Sequence, residues 1–218
     1  MDSAFTAIDN VRKALLSSFL VFYGFYVFVL LVLFFFTMGP KALMNVFTLQ
    51  HVVNAIIWIL PAYVANGSPV VIGKFFLSKN IKRHPIDFNK RFFDGREIFG
   101  KNKTFEGFLG GLAAGCLASL ILQYMGLHDL ALGSLLALGA LLGDLVGAFI
   151  KRRIGIKPGD PAWILDQVDF LIGSFILQFI FFGDLDMGLA LIAMVITPLI
   201  HILTNFAAYL LKLKNVPW

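Results

Sequence analysis

Apolar residues run along this chain in long blocks separated by short polar breaks. A helix that crosses a bilayer needs about 20 mostly apolar residues. Blocks of that order predict spans over residues 14–36, 46–65, 105–125, 130–150 and 187–211, and a shorter block covers 168–182. The last long block can cross with tilt. The short fifth block leaves five spans open as an alternative to six. The polar stretch ANGSPVVIGK, residues 65–74, closes the second block, as a helix end with its turn or as a break lining a cavity. No small-residue cleavage pattern follows the first block, so no cleavable signal peptide is expected. The expected fold is an all-α integral membrane protein. It is a single polytopic bundle of five to six transmembrane helices over residues 1–218, with cytoplasmic loops at 67–104 and 151–167.

Composition supports this class. Of 218 residues, 59% are hydrophobic and only 14% charged, and the mean hydropathy is +0.84. Soluble domains run nearer 45–50% apolar and 25% charged, so a soluble domain is excluded. The 24 phenylalanines suit a lipid-facing surface. The single Cys116 sits in an apolar run and reads as a small core residue.

Charge adds orientation. Nine Lys or Arg fall in 67–104 and four in 151–167, whereas the turns at 126–129 and 183–186 carry Asp129, Asp184 and Asp186 and no Lys or Arg. The positive-inside rule places both basic loops in the cytoplasm. Arg12, Lys13, Lys212 and Lys214 put both termini there as well, with Lys41 dissenting. The same bias also suits an anionic ligand at that face, and composition does not choose between the two.

The carboxylates bear on that choice, because ionisable groups within spans are costly and usually functional. Asp144 interrupts the fourth block in ALLGDLVGAFIKRR, and on a helix it falls near one face with Gly147 and Lys151. Asp166 and Asp169, in LDQVDF, share a face if that segment is helical, and Glu106 opens the third block. Hard cations such as Mg²⁺ take oxygen ligands and keep phosphate oxygens as partners. Carboxylates for the metal beside Lys, Arg and backbone amides for phosphate is what nucleotidyl transfer requires. The plainer reading of each Asp is a helix cap or an ion pair, and Glu106 is equally read as a cap or as a partner of Lys103.

The stretch GKNKTFEGFLGG, residues 100–111, places Lys101, Asn102, Lys103 and Thr104 before a helix start, where free N–H groups favour phosphate. It is not a P-loop, since GxxxxGK[ST] is absent. His51, His84, His128 and His201 form no metal-ligand pattern and read as surface or packing residues. His201 and Asn205, one turn apart, are candidates for a polar track.

Two ordered motifs then carry a resemblance. Asp144, Lys151–Arg152, Lys157 with Asp160, and Asp166-Gln-Val-Asp169 resemble the signature of the CDP-diacylglycerol synthase family. Lys103, Thr104, Glu106, Gly107, Gly110 and Gly111 resemble its KKTxEGxxGG motif. Together they cover about a quarter of the chain. Two departures stand out: Pro161-Ala162-Trp163 replaces a glycine- and histidine-rich box, and Gln167 replaces the Arg of DRxD. With the short length, they make the chain similar to the archaeal branch, the CDP-archaeol synthases.

That resemblance implies transfer of CMP from CTP to an isoprenoid ether lipid phosphate, 2,3-bis-geranylgeranyl-glycerol 1-phosphate, with release of pyrophosphate. It implies Mg²⁺ on Asp144, Asp166 and Asp169, with Lys151 beside them in the catalytic set. Lys101, Asn102, Lys103 and Thr104 would cradle the CTP triphosphate, with Glu106 also in the CTP site as the hinge to the membrane. Asn66, Ser68, Asp94 and Arg96 would serve its base or ribose. Arg152 and Arg153, with Lys151, would meet the lipid phosphate. The implied partners are CTP, the ether lipid phosphate and membrane lipid, with no nucleic acid. The implied location is a multi-pass cell-membrane protein with its active site on the cytoplasmic side. An ester-lipid CDP-diacylglycerol synthase is the neighbouring alternative. From another class, a transporter for anions or divalent cations also places Asp beside basic loops. The carboxylates cluster at one face rather than the midplane, and no internal repeat is visible, which weighs against it.

Overall fold

The structure is a computed structural model that describes residues 2–160, 162 and 165–214, with side chains described from residue 18 onward. The described residues form seven helices and no strand. They are α1 (Asp2–Met38), α2 (Pro40–Val46), α3 (Leu49–Ser78), α4 (Phe105–Tyr124), α5 (Leu130–Arg153), α6 (Leu165–Phe182) and α7 (Met187–Leu210). All but α2 are long and apolar enough to cross a membrane, which makes six candidate spans, the first over Ser18–Met38. The chain divides into two compact units, Met1–Val46 and Phe47–Trp218. The first unit holds α1 and α2, joined through Gly39 in the left-handed region (φ +85°).

Three expectations are corrected. The second block does not stop at residue 65: α3 runs on to Ser78 with Pro61 and Pro69 inside it. Proline removes an N–H and frees the carbonyl four residues back. In a membrane helix, neighbouring helices and hydroxyls compensate for such freed groups. Here α4 closes against the freed Ala65 carbonyl at Gly111, and Ser68 turns its hydroxyl back onto the Val64 carbonyl of its own helix at 2.6 Å. The fifth block is a full 18-residue helix, because residues 165–167 join it with Asp166 in the first turn. Six spans therefore replace the five-span alternative. Cys116 is half-buried rather than fully buried.

In the second unit, small residues decide how closely the helices pack. Lipid tails are as apolar as leucine, so helix association there relies on close packing and interhelical hydrogen bonds. Gly107, Gly111 and Gly115 recur every four residues on α4 and face Pro69, Ala65 and Pro61 on α3. Gly139, Gly143 and Gly147 form a second seam on α5, against Gly173–Ser174 and Asp169–Phe170 of α6. A methyl group on Gly139 would lie 2.6 Å from Ser174 Cα and 2.7 Å from the Gly173 carbonyl oxygen. Around the seam lies an apolar core that includes Trp58, Ile59, Leu136, Phe170 and Leu171. Three polar links cross it. Trp58 Nε1 donates to Gln178 Oε1 at 3.1 Å, Tyr63 and Thr197 hydroxyls meet at 2.6 Å, and the Ser174 hydroxyl donates to the Leu136 carbonyl at 2.8 Å.

Overpacking a close-packed seam costs about 1–3 kcal/mol. Gly139→Val should therefore lower the thermal unfolding midpoint of the detergent-solubilised protein. Gly67→Ala, on an α3 position with nothing within 4 Å of a new methyl group, should not. Equal midpoints for the two variants would contradict the seam.

Candidate active site

The α5–α6 seam ends at a cluster of charges. Lys151, in the last turn of α5, is only 7% exposed, and burial at that depth requires compensation by opposite charge. Its Nζ donates to Asp166 Oδ1 at 2.5 Å and lies 3.5 Å from Asp169 Oδ2. Asp166 Oδ2 also accepts from the Ala162 backbone N–H at 2.7 Å. Asp169 Oδ1 accepts from Phe170 N–H at 2.7 Å, while its Oδ2 is buried and takes no hydrogen bond. Gly147 leaves the room this carboxylate occupies, since a methyl group there would collide with it. The expected Asp166–Asp169 face is thus present, and Lys151 joins the two.

Asp144 sits two turns before Lys151 on α5. Both of its oxygens accept from Lys103 Nζ at 2.6 Å. This pair ties the loop before α4 to the same end of α5. It also corrects one expectation: Glu106 pairs with His84, not Lys103. His84 N–H reaches both Glu106 oxygens at 3.0 and 3.2 Å, and its ring Nδ1 lies 2.6 Å from Oε1. His84 is therefore a partner in the site's frame rather than a bland surface residue. Thr104 is buried as the N-cap of α4, its hydroxyl accepting from Gly107 N–H at 3.2 Å.

The loop over residues 79–104 owes its shape to Asp87, which no sequence signal singled out beyond the short Asp–Phe–Asn turn pattern. Asp87 is buried. It accepts from the backbone N–H of Asn89 at 2.9 Å and of Phe99 and Gly100 at 3.0 Å each. A carboxylate that gathers three N–H groups folds the loop on itself. Gly100 takes the left-handed conformation (φ +99°) beside Pro158. Backbone bonds between Ile86 and Lys103 (2.8 Å) and between Phe105 and His84 (2.9 Å) close the loop at its base.

Arginines then pin this loop to α5. Arg96 donates to the carbonyls of Arg152 and Arg153, supplying cationic donors to the last turn of α5 where free carbonyls accumulate. The Arg153 guanidinium lies over the rings of Phe92 and Phe149, 4.9 and 4.7 Å from their centres. It also lies 3.2 Å from Asp94 Oδ1 and donates to the Glu97 carbonyl. Asp94 further accepts from Arg96 N–H at 3.0 Å. Asp94, Arg96 and Arg153 are thus occupied in building the loop rather than held out towards a ligand. The Arg152 side chain is buried as well, and its Nε and Nη1, like those of Arg153, have no hydrogen-bond partner. Lys101 and Asn102 are exposed at the turn, Asn66 is half-buried on α3, and the Ser68 hydroxyl is consumed by its own helix.

Among the described residues, no three His, Cys, Asp or Glu side chains converge as a ready-made metal cage. The donors still fit a hard divalent cation. Asp144, Asp166 and Asp169 offer carboxylate oxygens at one end of α5 and α6, and the buried Asp169 Oδ2 lacks a hydrogen bond.

The family model described as CarS-like CDP-archaeol synthase matches residues 48–218. The chain belongs to the CDP-archaeol synthase family. A CDP-archaeol synthase of Thermofilum pendens is 46% identical over 93% of this chain and 99% of its own length. Another, of Pyrococcus furiosus, is 47% identical over 78% of this chain and its entire length. A solved structure of an intramembrane enzyme for archaeal membrane lipid biosynthesis is 39% identical, with a TM-score of 0.60. It covers 72% of this chain and 94% of its own.

Within this family frame, the Asp–Gln–Val–Asp box is the start of α6, with Gln167 buried and its Oε1 unpartnered. Pro161 and Trp163, which replace the wider family's glycine- and histidine-rich box, lie outside the described residues. Asp87→Ala removes the acceptor of three loop N–H groups, and hydrogen bonds to a charged group are worth about 1.5–3 kcal/mol. Limited trypsin digestion of this variant should cut within 79–104 about tenfold faster than wild type while helical circular dichroism stays constant. Unchanged cutting would contradict the organising role of Asp87.

Proposed function

We propose that the chain transfers a cytidylyl group from CTP to the phosphate of an isoprenoid ether lipid, with Mg²⁺ bound at Asp144, Asp166 and Asp169 on the cytoplasmic side. One observation carries this reading. Three carboxylates, two lysines and an unpartnered buried arginine gather where α4, α5 and α6 begin or end, flanked by a folded basic loop.

The lipid phosphate is the nucleophile. One of its oxygens bonds to the α-phosphorus of CTP as the bond from that phosphorus to the bridging oxygen of pyrophosphate breaks. The leaving electron pair stays on pyrophosphate. The nucleophile is already anionic near neutral pH, so positioning and charge neutralisation carry most of the reaction. When bound, Mg²⁺ would neutralise phosphate charge and orient the reacting oxygens. Lys103, on the loop side, and Lys101 at the turn suit the triphosphate, with the N–H groups at the start of α4 as further donors. Lys151 holds Asp166 and Asp169 in place and supplies positive charge between them. The free Nε and Nη1 of Arg152 suit two oxygens of the lipid phosphate, because guanidinium presents its donors as a planar fork. Asn66, Lys101 and Asn102 keep their proposed nucleotide contacts. Arg153, Asp94 and Arg96 act through the loop they hold, and Ser68 and Thr104 through their helices. Glu106 positions the loop through His84.

Asp144→Asn and Asp166→Asn should fold and lose turnover by at least about a hundredfold, the scale of a lost transition-state charge partner. A chelator should abolish product formation, and added Mg²⁺ should restore it. Wild-type turnover in either variant would overturn the carboxylate assignment. An ether-lipid phosphate should outperform an ester-lipid phosphate in the same assay, and the reverse would favour the ester-lipid alternative.

A further inference from the structure

Four-residue steps on α4 put Phe105, Leu109, Ala113 and Leu117 on one exposed stripe, away from the glycines that face α3. On α5 the same spacing exposes Leu142, Val146 and Ile150, and Ile154 extends the line just past the helix end. Residues four apart share a helix face, and an open apolar face on a spanning helix suits lipid tails.

The loop over 79–104 sets two phenylalanine rings at the ends of these stripes. The Phe88 ring lies 5.5 Å from that of Phe105 and is still 67% exposed. A tight turn holds it there. Lys90 N–H donates to the Asp87 carbonyl at 2.8 Å, and the two central residues, Phe88 and Asn89, are both left-handed (φ +51° and +59°). Turns of this hand favour Asn-Gly, and a bulky residue at positive φ is an outlier. The chain thus accepts strain at a place where an aromatic ring points outward, and strain of this kind gathers at functional sites.

Phe93 is 91% exposed, at the tip of a second turn. There Phe92 N–H donates to the Arg96 carbonyl at 2.8 Å and Gly95 N–H to the Phe92 carbonyl at 2.9 Å. The Phe93 ring centre lies 3.9 Å from that of Phe92, which meets Phe149 edge-on at 5.2 Å. Phe149 is the neighbour of Ile150 on α5. Between the two rings in sequence stand Lys90 and Arg91, and Lys79 and Lys82 open the loop, all four exposed. Of the loop's carboxylates, Asp87 is spent on backbone N–H groups and Asp94 on Arg153, so that Glu97 alone offsets this outward positive charge.

We propose that this loop lies in the headgroup layer of the bilayer, with Phe88 and Phe93 inserted at the boundary of the lipid chains and Lys79, Lys82, Lys90 and Arg91 over anionic headgroups. Apolar rings interleaved with basic side chains are the composition that binds an anionic membrane surface. Each ring also continues a stripe that already belongs to a spanning helix, which favours lipid over a soluble partner. The inference goes beyond the transfer reading and stands on the helices and the loop alone.

The test uses the full chain reconstituted in vesicles of phosphatidylcholine with phosphatidylglycerol. A bimane fluorophore is attached to Phe93→Cys, and separately to Phe88→Cys, in a Cys116→Ala background that leaves one thiol. Lipid carrying a nitroxide near the headgroup should quench both labels more strongly than lipid carrying it at the chain end. Aqueous iodide should quench them several-fold less than it quenches the same dye on free cysteine. Labels quenched by iodide as fully as the free dye, and untouched by nitroxide lipid, would overturn the proposal. Replacing Lys79, Lys82, Lys90 and Arg91 with Gln should remove the extra nitroxide quenching that phosphatidylglycerol brings over phosphatidylcholine alone. The same gain in wild type and variant would overturn the headgroup contacts. Phe88→Ser with Phe93→Ser should leave CTP binding unchanged when measured without lipid substrate. Weakened CTP binding with intact binding of inorganic triphosphate would mean that the rings stack on the nucleotide base, and would overturn the membrane assignment. None of these measurements needs turnover, so their failure is distinct from failure of the transfer reading.

Discussion

Backbone contact between α5 and α6 is the constraint on which the site depends. Gly139, Gly143 and Gly147 let the two helices meet at main-chain distance, and that approach aligns the end of α5 with the start of α6. Lys151 then falls between Asp166 and Asp169, and Gly147 gives the Asp169 carboxylate its space. Buried ion pairs gain little net stability, because desolvation offsets their attraction. This cluster is therefore better understood as chemistry supported by apolar and small-residue packing elsewhere. The Trp58–Gln178 and Tyr63–Thr197 links and the Phe170 core supply that support.

The loop over 79–104 extends the same logic beyond the helices. It cannot bury much apolar surface, so its form comes from charge and hydrogen bonding. Asp87 gathers its N–H groups, Arg96 and Arg153 fasten it to α5, and Lys103 reaches across to Asp144. A basic loop that would otherwise be solvated is held against α5. The proposed site is assembled from three helix ends and one loop.

Much of this was legible in the sequence, unevenly. Spans with clean apolar blocks, such as 105–125 and 130–150, are set by the cost of exposing polar backbone to lipid and were readable to within a few residues. The end of α3 was not, because Pro69, Gly67 and Ser68 carry a turn signature in water but are tolerated inside a membrane helix. Asp144, Asp166 and Asp169 stood out because a carboxylate inside an apolar run is costly, and the structure gathers them at one end of α5 and α6 beside Lys103 and Lys151. Glu106 with His84, and Arg153 with Asp94, were not readable. Their partners lie on a loop whose path depends on Asp87, and no periodicity encodes that path. Arg152 and Arg153 are adjacent and chemically alike, and each has a buried Nε and Nη1 without a hydrogen bond, yet it is Arg153 that stacks on two rings and pairs with Asp94. Only the three-dimensional packing of Phe92 and Phe149 separates them.

The central claim is that the carboxylate cluster performs nucleotidyl rather than phosphoryl transfer to a lipid phosphate. The most direct measurement follows label from CTP carrying radioactive phosphorus at either the α or the γ position, with purified protein, Mg²⁺ and an ether-lipid phosphate. The account predicts that α label moves into the lipid phase and γ label appears in pyrophosphate. Gamma label in the lipid, or no label in the lipid from either position, would contradict it.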